Sequence, residues 1–157
     1  MIQPPSLSGL MPSFVRPDMM VSSRLAVETR GTGFTDITGE VADFLRLTGA
    51  RDGAVTLFIR HTSASLTIQE NADPSVLQDL ATALARLAPE NAGLVHDTEG
   101  PDDMPAHVKT MLTSVSLQIP VLEGSMVLGT WQGIYVIEHR AQPHRREVVL
   151  QFLGSGP

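Results

Sequence analysis

Apolar residues alternate with polar ones over short stretches near both ends of this chain, and between them they recur at helical spacing in three places. Leu25 and Val27 predict a first strand ending near Arg30, closed by Gly31-Thr32-Gly33. Thr38 stands where an N-cap belongs, ahead of a short helix that buries Val41, Phe44 and Leu45, and Gly49 is placed to end it. Val55, Leu57 and Ile59 mark one face of a further strand. Asp73-Pro74 combines a capping side chain with proline at the first helical position; Val76, Leu77, Leu80, Ala81, Leu84 and Leu87 follow along one face, and Pro89 stops the helix. Residues 89–105 read as a polar loop. Pro105 then opens a third helix with Val108, Met111 and Leu112 toward the core and His107 beside them. The last third reads as sheet. Val115, Leu117 and Ile119 alternate with serines and Gln118; Glu123-Gly124 forms a hairpin turn before Ser125–Leu128; Ile134–His139 and a strand burying Val148, Leu150 and Phe152 complete it. Strands outnumber helices and form no regular βαβ series, so the pattern predicts one α+β domain.

One stretch breaks the rhythm. Up to Ile59 the odd positions are apolar, whereas from Ala64 the even positions are, through Leu66 and Ile68. Alternation cannot change face within a strand without a bulge, a bend or burial on both sides, and the change falls on His61–Ser63. Residues 1–20 show no period and are rich in Pro, Ser and Met. They read as an N-terminal extension, or as an over-long start with Met19 or Met20 as the initiator, leaving residues 21–157 as the domain.

Composition narrows the function classes. At 157 residues and 42% hydrophobic the chain fits one core, which aliphatic side chains must fill because aromatics are 4%. A net charge of −6 argues against a nucleic-acid binder, which usually presents a basic stripe to the phosphates. It leaves room for a small phosphorylated ligand held by a few arginines. The chain has no cysteine, so disulfides, thiolate catalysis and cysteine-held zinc are excluded. No apolar run approaches the roughly 18–20 residues that span a bilayer, and the start lacks the charge and apolar centre of a secretory signal. Cytoplasmic residence without membrane association is the expectation.

Five histidines carry most of the candidate chemistry: His61 at a strand end, His96 in the acidic loop, His107 early in a helix, His139 after Glu138, and His144 before the last strand. None falls in HExxH; His96 and His107 could still converge on a divalent ion, zinc or magnesium, with His61 as a third ligand. Glu70, Asp97, Glu99, Asp102 and Asp103 are carboxylates able to orient such histidines or simply to be solvated, while Asp73 reads as a helix cap. Arg140, Arg145 and Arg146 offer cations for phosphate. In Gly129-Thr-Trp-Gln-Gly133, Trp131 reads as core and Gln132 as its outward neighbour with a free amide. The pattern predicts His61 and His107 on one pocket, Gln132 on its wall, and His96 or Glu138 completing it. The absence of GxxxxGK[ST], GxGxxG and GxSxG sequences argues against a nucleotide cofactor and against that class of hydrolase.

The segments HTSASLTIQENADP (61–74), HDTEGPDDMPAHVK (96–109) and SLQIPVLEGSMVLGTWQGIYVIEHR (116–140) resemble the YjbQ-like family, also called the secondary thiamine-phosphate synthase family. The resemblance runs from about residue 22 to Gly154. It implies an α+β fold with a twisted, mostly antiparallel or mixed sheet or sandwich, assembled as a homotrimer. It implies a transferase joining a pyrimidine diphosphate to a thiazole phosphate, usually with a divalent metal; the alternative is a metal- or ligand-binding trimer with little catalysis. His61, His107, Gln132 and Glu138 become the catalytic candidates, and Ser63, Glu70, Asn71 and Arg140 the ligand-binding ones. Family members often read Glu-x-Asp-Gly-Pro where this chain has Glu138-His139-Arg140-Ala141-Gln142-Pro143.

Overall fold

A computed structural model describes residue 12 and residues 14–157, so most of the proposed N-terminal extension lies outside the described residues. The elements run β1 (Met19–Glu28), β2 (Gly33–Asp36), α1 (Thr38–Thr48), β3 (Gly53–Ile59), β4 (Ala64–Glu70), α2 (Pro74–Leu87), α3 (Asp103–Leu112), β5 (Ser116–Leu122), β6 (Ser125–Met126), β7 (Gln132–Glu138) and β8 (Arg145–Gly154). They form two sheets, ordered β1-β8-β3-β5-β6 and β2-β7-β4. Every pair is antiparallel, so of the two sheet types expected the mixed one is absent among the described residues. The fold is α+β.

The core lies between the sheets. Val55, Leu57 and Ile59 of β3 sit beside Phe152, Leu150 and Val148 of β8, while Val55 also faces Ile119 of β5. Ala64 and Leu66 of β4, Ile134 and Val136 of β7, and Val41, Phe44 and Leu45 of α1 close on the same cluster. This confirms the period-two and helical readings of those segments. It also explains the change of face at His61–Ser63. The chain leaves one sheet after Ile59 and enters the other at Ala64, so His61 lies in a crossover and not on a bulged strand.

Local signals placed most element ends. Asp73 Oδ1 accepts the Ser75 N–H at 2.9 Å, which caps α2. Gly49 adopts φ 72° at the end of α1, and Glu123 and Gly124 both take positive φ in the β5–β6 turn. Thr38 is the first residue of α1 instead of its cap; its hydroxyl donates to Asp36 Oδ1 (2.6 Å) and accepts the Ile134 N–H (2.8 Å). The strand expected at Ser125–Leu128 is only Ser125–Met126. Met19 and Met20 belong to β1, paired with Gly154 and Leu153, so the folded domain begins before residue 21.

Two expectations fail in an instructive way. α3 starts at Asp103, not Pro105, because proline is tolerated anywhere in a helix's first turn, where no intrahelical N–H bond is lost. Its buried face is Asp103, Pro105, Ala106 and Lys109, whereas Met111 is 86% and Leu112 55% exposed. Trp131 is 64% exposed and not in the core. Gln132 Oε1 accepts the Gly129 N–H at 2.8 Å, closing a tight turn that carries the indole outward.

Candidate metal centre

The early start of α3 puts Asp103 and His107 one helical turn apart on the same face. The loop before it returns His96 to that face. His96 Nε2 lies 3.0 Å and His107 Nε2 3.4 Å from the same oxygen, Asp103 Oδ2. The two imidazoles meet edge to face with centroids 5.8 Å apart. Asp103 is 2% exposed, yet both rings reach solvent, so the three donor atoms line a site open on one side.

The other half of the Asp103 carboxylate is fixed from outside. Its Oδ1 accepts from Arg140 Nη1; Arg140 Nε donates to Asp102 Oδ2 (3.1 Å) and Nη2 to the Glu99 carbonyl (2.8 Å). Asp102 Oδ2 also accepts the Ala141 N–H at 2.8 Å. Burial opposes the charge on Asp102, but these bonds outweigh it and hold its carboxyl below the ordinary range. Arg140 is therefore a clamp on the loop and on Asp103 and is not free to take a ligand, as the sequence had suggested.

Glu138 is sealed beneath this region. Its carboxylate takes Arg146 Nε (2.7 Å) and Nη2 (2.5 Å), the Thr29 hydroxyl (2.8 Å) and the Arg140 N–H (3.0 Å). Burial alone would raise its pKa, and the bonds from Arg146, Arg140 and Thr29 more than reverse that. With 0% exposure Glu138 cannot touch a ligand, so its place among the catalytic candidates is corrected to a structural one. Ser63 belongs with it, its carbonyl and hydroxyl both accepting from Arg146 Nη2.

His61 stands apart from the cluster. Its Nε2 accepts the backbone N–H of Glu147 at 2.9 Å, so the neutral ring carries its proton on Nδ1. Neither nitrogen is then a free lone pair for a metal. Protonation would break the Glu147 bond; burial first, and then the Arg146 charge, push the pKa of His61 down. Among the described residues the metal-capable group is His96, Asp103 and His107, so the pocket expected from His61 with His107 is replaced by the pairing of His96 with His107.

The remaining candidates form a third neighbourhood. Glu70, Trp131 and Gln132, with Ile68, Gln69 and Ala72, border an open concavity of about 590 Å³. Asn71 is tied to it by its N–H on the Trp131 carbonyl (3.1 Å) and its side chain on the Gln132 carbonyl (3.4 Å). Gln132 spends its side-chain oxygen, Oε1, on the turn.

His139 was singled out by no sequence argument for the site, yet it is 2% exposed and hydrogen-bonded through Nε2 to Ser65 Oγ (2.8 Å), which also meets Thr113 Oγ1 (2.7 Å). Burial, helped by Lys109 and Arg146, lowers its pKa to about 4. Because the folded value lies below the unfolded one near 6.5, acid favours the unfolded chain. Stability is fully present above pH 6.5 and declines as pH falls toward 4, by on the order of 2–3 kcal/mol at about 1.4 kcal/mol per unit. His61 adds a slope of the same sign. Urea titrations of His139→Gln across this range should show most of that decline removed; an unchanged profile would contradict the assignment.

Comparison with known proteins places these residues in a wider set. Residues 23–155 match the model of a family described as UPF0047 protein YjbQ-like. A UPF0047 protein of Synechocystis sp. is 47% identical over 132 residues, covering 83% of this chain and 90% of its own. The UPF0047 protein YjbQ of Salmonella typhimurium is 40% identical over 138 residues, covering 87% and 100%. The crystal structure of a conserved hypothetical protein of Thermus thermophilus superposes with a TM-score of 0.75 at 40% identity, covering 83% of this chain and 99% of that one.

Proposed function

This chain belongs to the UPF0047 YjbQ-like family, and on that footing we propose that it holds a divalent metal ion at His96, Asp103 and His107 and uses it to bind a small phosphorylated ligand. The observation that carries the reading is the convergence of both Nε2 atoms on Asp103 Oδ2. Around a tetrahedral zinc, donor atoms about 2.0–2.1 Å from the ion stand roughly 3.3 Å apart. The 3.0 and 3.4 Å separations are close to that spacing before any ion is added. Two nitrogens and one oxygen suit zinc, manganese or iron better than magnesium, which favours an all-oxygen shell. Of the two metals expected from the sequence, the donor set favours zinc. The Arg140 clamp on Oδ1 is the outer support such a carboxylate needs.

Three protein donors leave positions free for a ligand oxygen, which also supports the enzymatic reading. In thiamine-phosphate-synthase chemistry the pyrimidine methylene loses its bond to diphosphate and gains one to the thiazole nitrogen, releasing pyrophosphate. A metal ion would supply charge neutralisation for the departing diphosphate. No helix among the described residues is long and apolar enough to cross a membrane. The exposed Met111, Leu112 and Trp131 support the homotrimer that the resemblance implies.

Elemental analysis of protein purified without a metal-affinity tag tests the first claim. Absence of metal, together with no thermal shift from Zn²⁺ or Mn²⁺, would remove it. Assays with both thiamine precursors and either Zn²⁺ or Mg²⁺ test the second; product no greater than that from an Asp103→Asn variant would sink the transferase and leave the binding reading standing.

A further inference from the structure

The passage of the chain from one sheet to the other leaves backbone donors over. β3 ends at Ile59 and β4 begins at Ala64, so His61, Thr62 and Ser63 belong to neither ladder. Among the described residues, none of their three N–H groups donates a hydrogen bond. A backbone N–H is a strong donor that normally finds an acceptor, so three in succession without one need an explanation. The side chains add further donors. His61 spends Nε2 on the Glu147 N–H, which leaves its Nδ1–H without a described partner. The Ser63 hydroxyl accepts from Arg146 Nη2 and still has its own proton to give.

These groups share one concavity. Residues 58–63 and Val115 line an open cavity of about 490 Å³. Arg60 stands on it and pairs with Glu147 Oε1 through Nη1 alone (2.6 Å), so among the described residues its Nε and Nη2 have no partner. Glu147 Oε2 also lies 3.9 Å from Arg24 Nη1. Two guanidiniums therefore stand against one carboxylate, and one positive charge is left uncompensated beside the cavity. Arg146 and Glu138 cancel each other beneath it. Phe58 is 47% and Val115 38% exposed, which gives the cavity an apolar wall. The unspent groups are donors, so the cavity suits an oxyanion and not a cation. No residue lining it belongs to the His96, Asp103 and His107 group.

We propose that the crossover at residues 60–63 is a phosphoryl-binding site separate from the metal centre, taking the oxygens of a small phosphorylated ligand on its backbone N–H groups, His61 Nδ1–H and Arg60, with the ligand's apolar body against Phe58 and Val115. Successive backbone N–H groups in a turn form the kind of concavity that receives phosphate, and a guanidinium adds two donors in a fixed fork. This gives His61 a role that its geometry permits. It cannot lend a lone pair to a metal, but it holds out a proton to an anion. The proposal goes beyond the metal reading and does not need it.

The test uses the full chain stripped of metal with a chelator, so a failure of Zn²⁺ binding leaves its outcome untouched. In ¹H–¹⁵N spectra, inorganic phosphate should shift the amides of His61, Thr62 and Ser63 saturably, with a Kd of about 10 mM or tighter. By calorimetry, Arg60→Met should lower phosphate affinity at least about tenfold and His61→Ala about three- to tenfold, the losses expected for a charged and a neutral donor. Arg60→Lys should recover part of the affinity. Arg145→Met removes the same charge from the exposed pair with Glu28 and should change phosphate affinity by less than about twofold. Phenyl phosphate should bind more tightly than inorganic phosphate, because its ring is buried against Phe58 and Val115. Phosphate that leaves the three amides unmoved, or moves only those of residues 96–107, would overturn the proposal. So would equal affinity in wild type, Arg60→Met and His61→Ala, or an equal loss in Arg145→Met, the signature of net charge alone. If His61→Ala does not fold by circular dichroism, Arg60→Met and the amide shifts decide.

Discussion

Replacing His107 with alanine should weaken Zn²⁺ binding by more than about a hundredfold while the chain stays folded. The ring is one of the cluster's three donors, and it projects from a helix whose hold on the core comes from Pro105 and Ala106. Little packing is lost with an imidazole that reaches solvent. His96→Ala should behave alike. Asp103→Asn should be as damaging to the metal and also cost stability, since it removes the charge that Arg140 clamps. Arg140→Met leaves all three donors in place and removes only their support, so a loss of about 10–100-fold is expected. His61→Ala is the informative control. With Nε2 committed to the Glu147 N–H, its loss should leave Zn²⁺ affinity unchanged. Competition against a chromophoric chelator measures all five, with circular dichroism to check folding. A His61→Ala variant as impaired as His107→Ala would mean that the centre is drawn around the wrong histidines.

How much of this could be read in the sequence depended on the kind of signal. Where burial is one-sided, period and capping were enough: β3, β8 and α1 came out with the right inward residues, and Asp73-Pro74 started α2 where expected. Where the buried face is polar, the same rule misled. The apolar residues of α3, Val108, Met111 and Leu112, suggested one inner face, whereas the buried residues are Asp103, Pro105, Ala106 and Lys109. Starting the helix at Pro105 hid the Asp103–His107 spacing, the one pattern that could have announced the centre. His96 and His107 were named as a pair, but only the structure supplies Asp103 as their shared oxygen. Glu138 was legible as a special position and illegible as a buried one. Nothing in its neighbours reveals that Arg146 reaches it from β8, in the other sheet.

Arg146→Met should destabilise the fold by about 3–5 kcal/mol at neutral pH, the usual cost of stranding one member of a buried ion pair. Arg146 is 4% exposed on β8, in the larger sheet, and Glu138 ends β7, in the smaller one. Thr29 joins the pair from the end of β1 and Ser63 from the crossover between the sheets. The pair thus fastens one sheet to the other at the point where the chain passes between them. Without the guanidinium, Glu138 would keep the Thr29 hydroxyl and the Arg140 N–H, with the His144 ring 4.0 Å from its Oε2. The pH dependence discriminates this account from loss of packing. In the wild type the Glu138 pKa is depressed, so its stabilisation is present above about 4.5 and is lost as pH falls through the lower folded value. In Arg146→Met, burial is opposed only by the Arg140 N–H and Thr29 bonds, so that pKa rises and acid more readily neutralises the stranded carboxylate. The gap between wild type and variant should therefore narrow as pH drops from 7 toward 5. Adding Glu138→Gln to Arg146→Met should recover part of the loss at pH 7, because the uncompensated charge is removed with its partner. Denaturant unfolding of the single and double variants at both pH values gives the answer; a gap independent of pH, with no recovery in the double variant, would show that Arg146 acts through its packing and not through Glu138.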